Sequence, residues 1–571
     1  MAVSLQRRSI ETRRANPLRA SVSAWLKRHI FLWLAPLAFL GFFFFYPFAR
    51  IIAFTFNIET LTAKNLDLAF SVLRFTFYQA TLSTLLTIVI GIPAAYLFAR
   101  FDFRGKALLR ALTALPFMLP TVVVAAGFNA LLGPRGWISL AISPSFSIPF
   151  VGTLTAILVA HIFYNTTIVI RIVGNALARL DPRLDHAART LGASPCRVWW
   201  HVTLPLLRPS LLAAALLVFL FDFTSFGVIL LLGGPQFSTL EVEIYIQALQ
   251  MLNLPVAALL SLIQLLCTLV FSILYTRFVT KTPTQVAPRA VKSNLRRAHG
   301  WREKTFVIGM IFLLFAFYVL PLIALPVRSL SRLESDRGER AQIQRGLTID
   351  YYTELFINRR GSIFYIPPIR AAANSLSYAT ATVLISLLLG FPAASALARP
   401  GRFERMIDPL LMLPLGASAV TLGLGFIIAY PRFLASRWLV PLAHTLVALP
   451  FVIRTLQPAL ASIPDRLRQA ASSLGASPFH VWRTVDWPIV SRATLAAATF
   501  AFTVSLGEFG AAILLTRPEY PTIPVAIYRF LSQPGGLNYG QAMAMATILM
   551  VTTTIGILAI EKLRLPGTGE F

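Results

Sequence analysis

Acidic side chains are scarce in this chain. Only 23 Asp and Glu stand against 51 Lys and Arg in 571 residues, a formal net charge of +28. Charge of either sign is sparse as well: 13% of the residues are charged, 56% are hydrophobic, and the mean hydropathy is +0.70. So little charge excludes a soluble globular domain and a solvated disordered chain, and it points to a polytopic membrane protein. A basic excess on a soluble protein would suggest nucleic acid. Here Lys and Arg lie in the polar stretches between apolar runs, which is a topology pattern, so no nucleic-acid partner is expected. Cysteine is limited to Cys196 and Cys267, which excludes a disulfide framework and a cysteine metal cluster. The chain also lacks a G-x-x-x-x-G-K-[ST] phosphate loop. Gly105-Lys106 has neither the earlier Gly nor the following Ser or Thr, so ATP binding by this chain is not expected. It has no His-Glu-x-x-His, no paired Cys and no nucleophile elbow. It is therefore read as a non-enzyme, with no catalytic residue, no metal ligand and no cofactor of its own.

What the chain does have is a polar stretch that occurs twice. Leu184 to Pro205 reads LDHAARTLGASPCRVWWHVTLP, and Leu467 to Pro488 reads LRQAASSLGASPFHVWRTVDWP. Gly192 and Gly475 are 283 residues apart, as are Pro205 and Pro488. A fixed internal spacing repeated at a fixed period implies two copies of one structural unit. Each copy predicts a short helix, a turn at the Gly, and a new helix starting near the Pro.

These residues resemble the loop of ABC-importer permeases whose signature is Glu-Ala-Ala, three residues, Gly, nine residues, Ile, one residue, Leu-Pro. The first copy has Asp185-His186-Ala187-Ala188, Gly192 and Val202-Thr203-Leu204-Pro205. The second has Gln469-Ala470-Ala471, Gly475 and Val485-Asp486-Trp487-Pro488. The Glu is replaced in both copies and the Leu is replaced by Trp in the second. The resemblance implies an all-α polytopic membrane protein of the type I importer permease fold. It implies about twelve transmembrane helices in two homologous six-helix halves fused in one chain. It further implies that the two loops dock two P-loop ATPase subunits, which would carry ATP-Mg, and that a periplasmic or lipid-anchored binding protein delivers the solute. Paired alanines would let each helix sit deep in a partner's groove. Arg183, Arg189, Arg197, Arg466, Arg468 and Arg483 would meet carboxylates at its rim.

Apolar runs of roughly 20 residues are found near 30–55, 73–99, 107–132, 150–175, 205–232 and 252–276, and again near 305–327, 372–398, 407–429, 437–458, 488–515 and 540–562. The halves match outside the loops too. Gly91-Ile92-Pro93 corresponds to Gly390-Phe391-Pro392, and Gly127-Phe128 to Gly425-Phe426, at offsets of 298 or 299. The second half is thus about fifteen residues shorter, in the part matching Leu132 to Pro149, which is placed outside the membrane. The expected organisation is a basic cytoplasmic tail (1–29), a first permease half (30–276), a cytoplasmic linker (277–304), a second half (305–562) and a short C-terminal tail (563–571). Lys and Arg put the tails, the linker and both repeated loops inside, in a bacterial plasma (inner) membrane. The 328–371 stretch is then outside, and 347–356 within it could lie as an amphipathic helix on the membrane face.

A second constellation follows each loop: FDFTSFGVILLLGG from Phe221 and VSLGEFGAAILLT from Val504. Asp222 and Glu508 are acids within apolar runs, and ionisable groups there usually face a bundle interior or an aqueous path. With Ser225, Phe226, Ser505 and Phe509 they are the candidate translocation pathway. An interfacial or purely structural role for the acids is the alternative. Carboxylates in a pathway suit a cationic or metal solute, and the stretches resemble thiamine permeases in the first half and ferric-iron permeases in the second. An ion-gradient-driven secondary transporter would also show internal repeats, but would not need the two loops.

Overall fold

The computed structural model describes residues 32–56, 60–142, 149–234, 236–281, 295–332, 346–357 and 367–563. The expected N-terminal tail, most of the C-terminal tail, the centre of the linker and half of 328–371 lie outside the described residues. Among the described residues, ten helices are long and apolar enough to span a membrane. Two further pairs, Lys106–Pro116 with Thr121–Ser139 and Arg402–Gly416 with Ala419–Ala429, pass the same criterion only as bent units, at 105° and 96°. The runs near 107–132 and 407–429 are therefore not single straight helices; counting each bent pair as one span gives twelve. Pro116 and Pro120 in the first and Pro414 in the second deny the backbone its helical hydrogen bonds at the bend.

Both halves fold alike. Ala63–Arg100 packs along Leu154–Arg179, and the helix of Leu204–Phe223 leans on both. In the second half Pro368–Leu397, Leu439–Ala461 and Trp487–Gly507 repeat this triangle. The first helix of each half, however, crosses to the other half. Tyr46–Thr55 packs on Ala419–Ala429, and Gly300–Ser329 packs on Thr121–Leu132. The glycines noted in the sequence sit at these crossings. A Cβ on Gly127 would lie 2.7 Å from the Pro321 carbonyl oxygen, and one on Gly425 would lie 3.1 Å from Pro47 Cβ. Only a residue without a side chain lets the helices approach so closely.

Other expectations are corrected. The helix after each repeated loop begins ten residues earlier than Pro205 and Pro488, in the spans Pro195–Phe223 and Phe479–Gly507. Ser194 Oγ caps the first by accepting from Arg197 N–H. A π-helical turn, Trp199–Thr203 or Trp482–Asp486, precedes each proline. It shifts the hydrogen-bond register where the ring would otherwise strike the carbonyl four residues back. The long helices also stop short of 232 and 515. They break at Thr224 and at Glu508, and short helices Gly227–Leu232 and Gly510–Leu515 follow. The 347–356 segment forms a brief helix, Asp350–Thr353. Tyr351 and Leu355 are buried, and Tyr351 lies directly over Gly540 of the Gly536–Leu563 helix. One side of it thus rests on protein, while Leu347, Ile349 and Phe356 stay exposed.

Candidate functional site: two projecting loops and a central cavity

The repeated loops form nine-residue helices, Pro182–Thr190 and Asp465–Ser473, with no buried residue in either. The first starts at Pro182 with Asp181 accepting from Arg183 N–H. Both end in the same way. Ala193 N–H donates to the Ala188 carbonyl and Ala476 N–H to the Ala471 carbonyl, while Gly192 and Gly475 take φ of +83° and +82°. This αL turn needs a residue without a Cβ. It leaves Leu191 and Leu474 each 89% exposed at the tip of a polar helix. His186, Ala187, Gln469 and Ala470 are exposed beside them, with Asp185, Ala188 and Ala471 half-buried. Ala471, Leu474, Gly475 and His480 also line a shallow hollow at the second loop. The arginines are less free than expected. Arg189 pairs with Asp185 at 3.3 Å, and Arg468 with Asp486 at 2.7 Å. Arg399, at the end of a spanning helix, pairs with Asp465 and ties the second loop to the bundle.

The second constellation meets at a cavity of about 330 Å³ between the halves. Asp222, Ser225, Phe226, Glu508 and Phe509 all line it; Ser505 is buried beside it. Phe226 stacks on Phe509 with centroids 5.4 Å apart, and Tyr245 and Tyr528 flank the pair at 5.8 Å on either side. The rings meet because each stands at a helix break, where the chain turns inward.

Around these rings two histidine clusters repeat, and neither histidine was among the sequence candidates. His161 Nδ1 lies 2.9 Å from Ser83 Oγ and 3.3 Å from Asp222 Oδ1, and its Nε2 lies 2.8 Å from Ser225 Oγ. His444 Nδ1 lies 2.8 Å from Ser505 Oγ, which also donates to Thr382, and its Nε2 lies 3.1 Å from Glu508 Oε2. His161 and His444 are 283 residues apart, so the period of the loops would have found them. By the same period Asp222 matches Ser505 and Ser225 matches Glu508. The two acids are therefore not equivalent: at these two matched positions each half has one acid and one serine on its histidine, in exchanged order.

Glu508 is also a helix cap. Its two carboxylate oxygens accept from Ala511 N–H and Ala512 N–H, each at 3.1 Å. Asp222 accepts from Asn165 Nδ2 at 2.7 Å, while Gln79 bonds its backbone carbonyl. A third acid, Glu241, lines the same cavity and accepts from Gln264 Nε2 at 2.7 Å. Its counterpart by the period is Pro524, so no repeat signal marks it.

Comparison with known proteins agrees with this architecture. Residues 87–282 match the family described as the binding-protein-dependent transport system inner membrane component. The thiamine transport system permease protein ThiP of Brucella abortus is 30% identical over 86% of this chain and 87% of its own length. The chain belongs to the ABC-importer permeases, of the type with both halves fused. The ThiP of Escherichia coli is 26% identical over 87% of this chain and 89% of its own length. A probable ABC transporter permease protein, y4fN of Sinorhizobium fredii, is 26% identical over 87% and 88%. With its ten to twelve candidate spans this permease is a multi-pass bacterial inner-membrane protein.

Proposed function

We propose that this permease moves thiamine, or a closely similar organic cation, across the inner membrane, taking it from an extracytoplasmic binding protein and drawing on ATP hydrolysis by two P-loop ATPases. The observation that carries the coupling is the pair of projecting helices, identical in length and turn geometry, each presenting an exposed leucine that gains from burial in a partner. Asp185, His186, Ala187, Ala188 and Gly192 would dock one ATPase, and Gln469, Ala470, Ala471 and Gly475 the other. Pro205 and Pro488 set the helices that transmit the motion. The names of the similar permeases and the acid-lined cavity support a thiamine-like cation over ferric iron. The pathway runs between Phe226 and Phe509, which close it in this conformation.

The proposed topology puts both termini and the linker in the cytoplasm. Arg296 supports placing the linker with the repeated loops' side of the bundle: its carbonyl accepts from Asp102 N–H and its own N–H donates to the Arg100 carbonyl, at the end of Ala63–Arg100.

The test is reconstitution. The permease, its ATPase and its binding protein in proteoliposomes should accumulate radiolabelled thiamine when ATP is enclosed with the ATPases. The double variant Ala188→Arg, Ala471→Arg should fail to co-purify with the ATPase and should lose uptake. A stable, ATPase-coupled complex from that variant would rule out the docking assignment. Labelling of a cysteine introduced at Ser293 by an impermeant reagent in intact cells would overturn the topology.

A further inference from the structure

The three cavity acids differ in how far the protein itself satisfies them. Glu508 faces His444 and caps a helix with both oxygens. Asp222 is wholly buried, and only Oδ1 is engaged; Oδ2 has no hydrogen-bond partner among the described residues. Glu241 is 1% exposed. Its Oε1 accepts from Gln264 and Oε2 is without a geometric hydrogen bond among the described residues; the Ser418 hydroxyl is near enough to interact with the carboxylate and also reaches Thr421. Glu241 also lies close enough to Glu508 for the two charges to repel. No lysine or arginine is among the residues lining the cavity. A buried carboxylate is costly unless it is neutralised or paired, and a cation in the cavity would offer the missing partner to both acids.

The walls define which cation fits. Phe226, Phe509 and Tyr164 offer ring surface, which attracts a diffuse cation through its quadrupole. A metal ion would need several oxygen or nitrogen ligands converging on one point. Among the described residues no such group of three His, Cys, Asp or Glu exists. At about 330 Å³ the cavity is at the small end of the range for ligand sites, room for one small solute. The repeat then makes the site one-sided. Asp222 and Glu241 both come from the first half, and their counterparts are Ser505 and Pro524.

We infer that the central cavity is a single intramembrane binding site for an organic cation, held by Asp222 and Glu241 of the first half, with Glu241 a specificity-determining residue. The inference rests on the proposal that the transported solute is cationic, and it places recognition in the permease in addition to the binding protein.

The test is equilibrium binding to the full-length permease in lipid nanodiscs, without binding protein. The probes are thiamine, its uncharged oxidation product thiochrome, and tetraethylammonium. Thiamine should bind, and thiochrome should bind at least tenfold more weakly. Glu241→Gln and Asp222→Asn should each weaken thiamine at least tenfold while eluting as monodisperse protein, and Glu241→Asp should recover part of the loss. Glu243→Gln is the control, since Glu243 bonds Ser238 and Gln247 away from the cavity. Unchanged thiamine affinity in monodisperse Glu241→Gln, or equal binding of thiochrome, overturns the site. So does absence of all binding by a permease that still transports thiamine in proteoliposomes. Binding of tetraethylammonium but not thiamine, with the same two variants impaired, upholds the site and instead defeats thiamine as the solute.

Discussion

Asp222 and Glu508 look alike in the sequence, yet their surroundings predict opposite responses to neutralisation. Glu508→Gln replaces one of two acceptors at the start of Gly510–Leu515 with an amide donor that faces a backbone N–H. Loss of such a cap costs about 1 kcal/mol, so the variant should melt earlier in detergent. Asp222→Asn keeps an oxygen for Asn165 and removes a buried charge with an unpartnered atom. It should melt at the same temperature or later, while cation binding falls; stability and function oppose each other at this residue. Thermal unfolding followed by size-exclusion chromatography checks both, and the reverse order would refute the distinction. The crossing glycines give a second contrast. Gly127→Ala meets a backbone carbonyl that cannot swing aside, and should cost about 1–3 kcal/mol. Gly309→Ala, in a spanning helix with nothing within 4 Å of its Cβ, should be neutral or gain up to about 1 kcal/mol.

At the scale of elements, the loop helices were legible because their residues answer to local rules alone. The helix and the αL glycine follow from residues within one short stretch, whereas the sequence reading starts the next helix ten residues too late, at Pro205 and Pro488 instead of the Ser-Pro pairs after each glycine. The breaks at 224 and 508 were not read from the sequence, although Thr224, Ser225 and Gly227, and Gly507, Glu508 and Gly510, interrupt the apolar runs there; what the sequence does not show is that Phe226 and Phe509 meet across the halves at these breaks. His161 and His444 lay in reach of the repeat period. Glu241 did not, since the repeat has Pro524 in its place. The loop turns themselves yield a prediction. In Gly192→Val with Gly475→Val, a β-branched residue must adopt positive φ, which is strained by roughly 1–2 kcal/mol per site, and Leu191 and Leu474 lose their orientation. Because both turns stand outside the bundle, thermal stability should change little, whereas ATPase co-purification should drop severalfold. An equal loss of both would show that the turns serve folding instead.

At the scale of the whole molecule, the first helix of each half bridges the two halves. Tyr46–Thr55 packs on Leu254–Lys281 of its own half as well as on Ala419–Ala429, and Gly300–Ser329 packs on Thr121–Leu132 as well as on Gly536–Leu563 of its own half. A chain cut within the linker and expressed as two fragments should therefore reassemble and co-purify through a tag on either piece. Each fragment alone should be less stable than the pair, because its first helix loses the contacts it makes with the other half. Two separately stable fragments with no affinity for each other would contradict the bridging.

The same bridging sets a timetable for biosynthesis. Helix 46–55 leaves the ribosome long before its partner 419–429 does. At about 5–20 residues per second the wait is roughly 20–75 s. Over that interval the surface that will meet Gly425 can touch only lipid or the insertion machinery, and lipid tails supply the apolar contact it needs. The Leu32–Thr55 span is suited to this, with 24 residues at a mean hydropathy of 1.9. It can meet Leu254–Lys281 of its own half first, and its packing is completed only when the last third of the chain arrives.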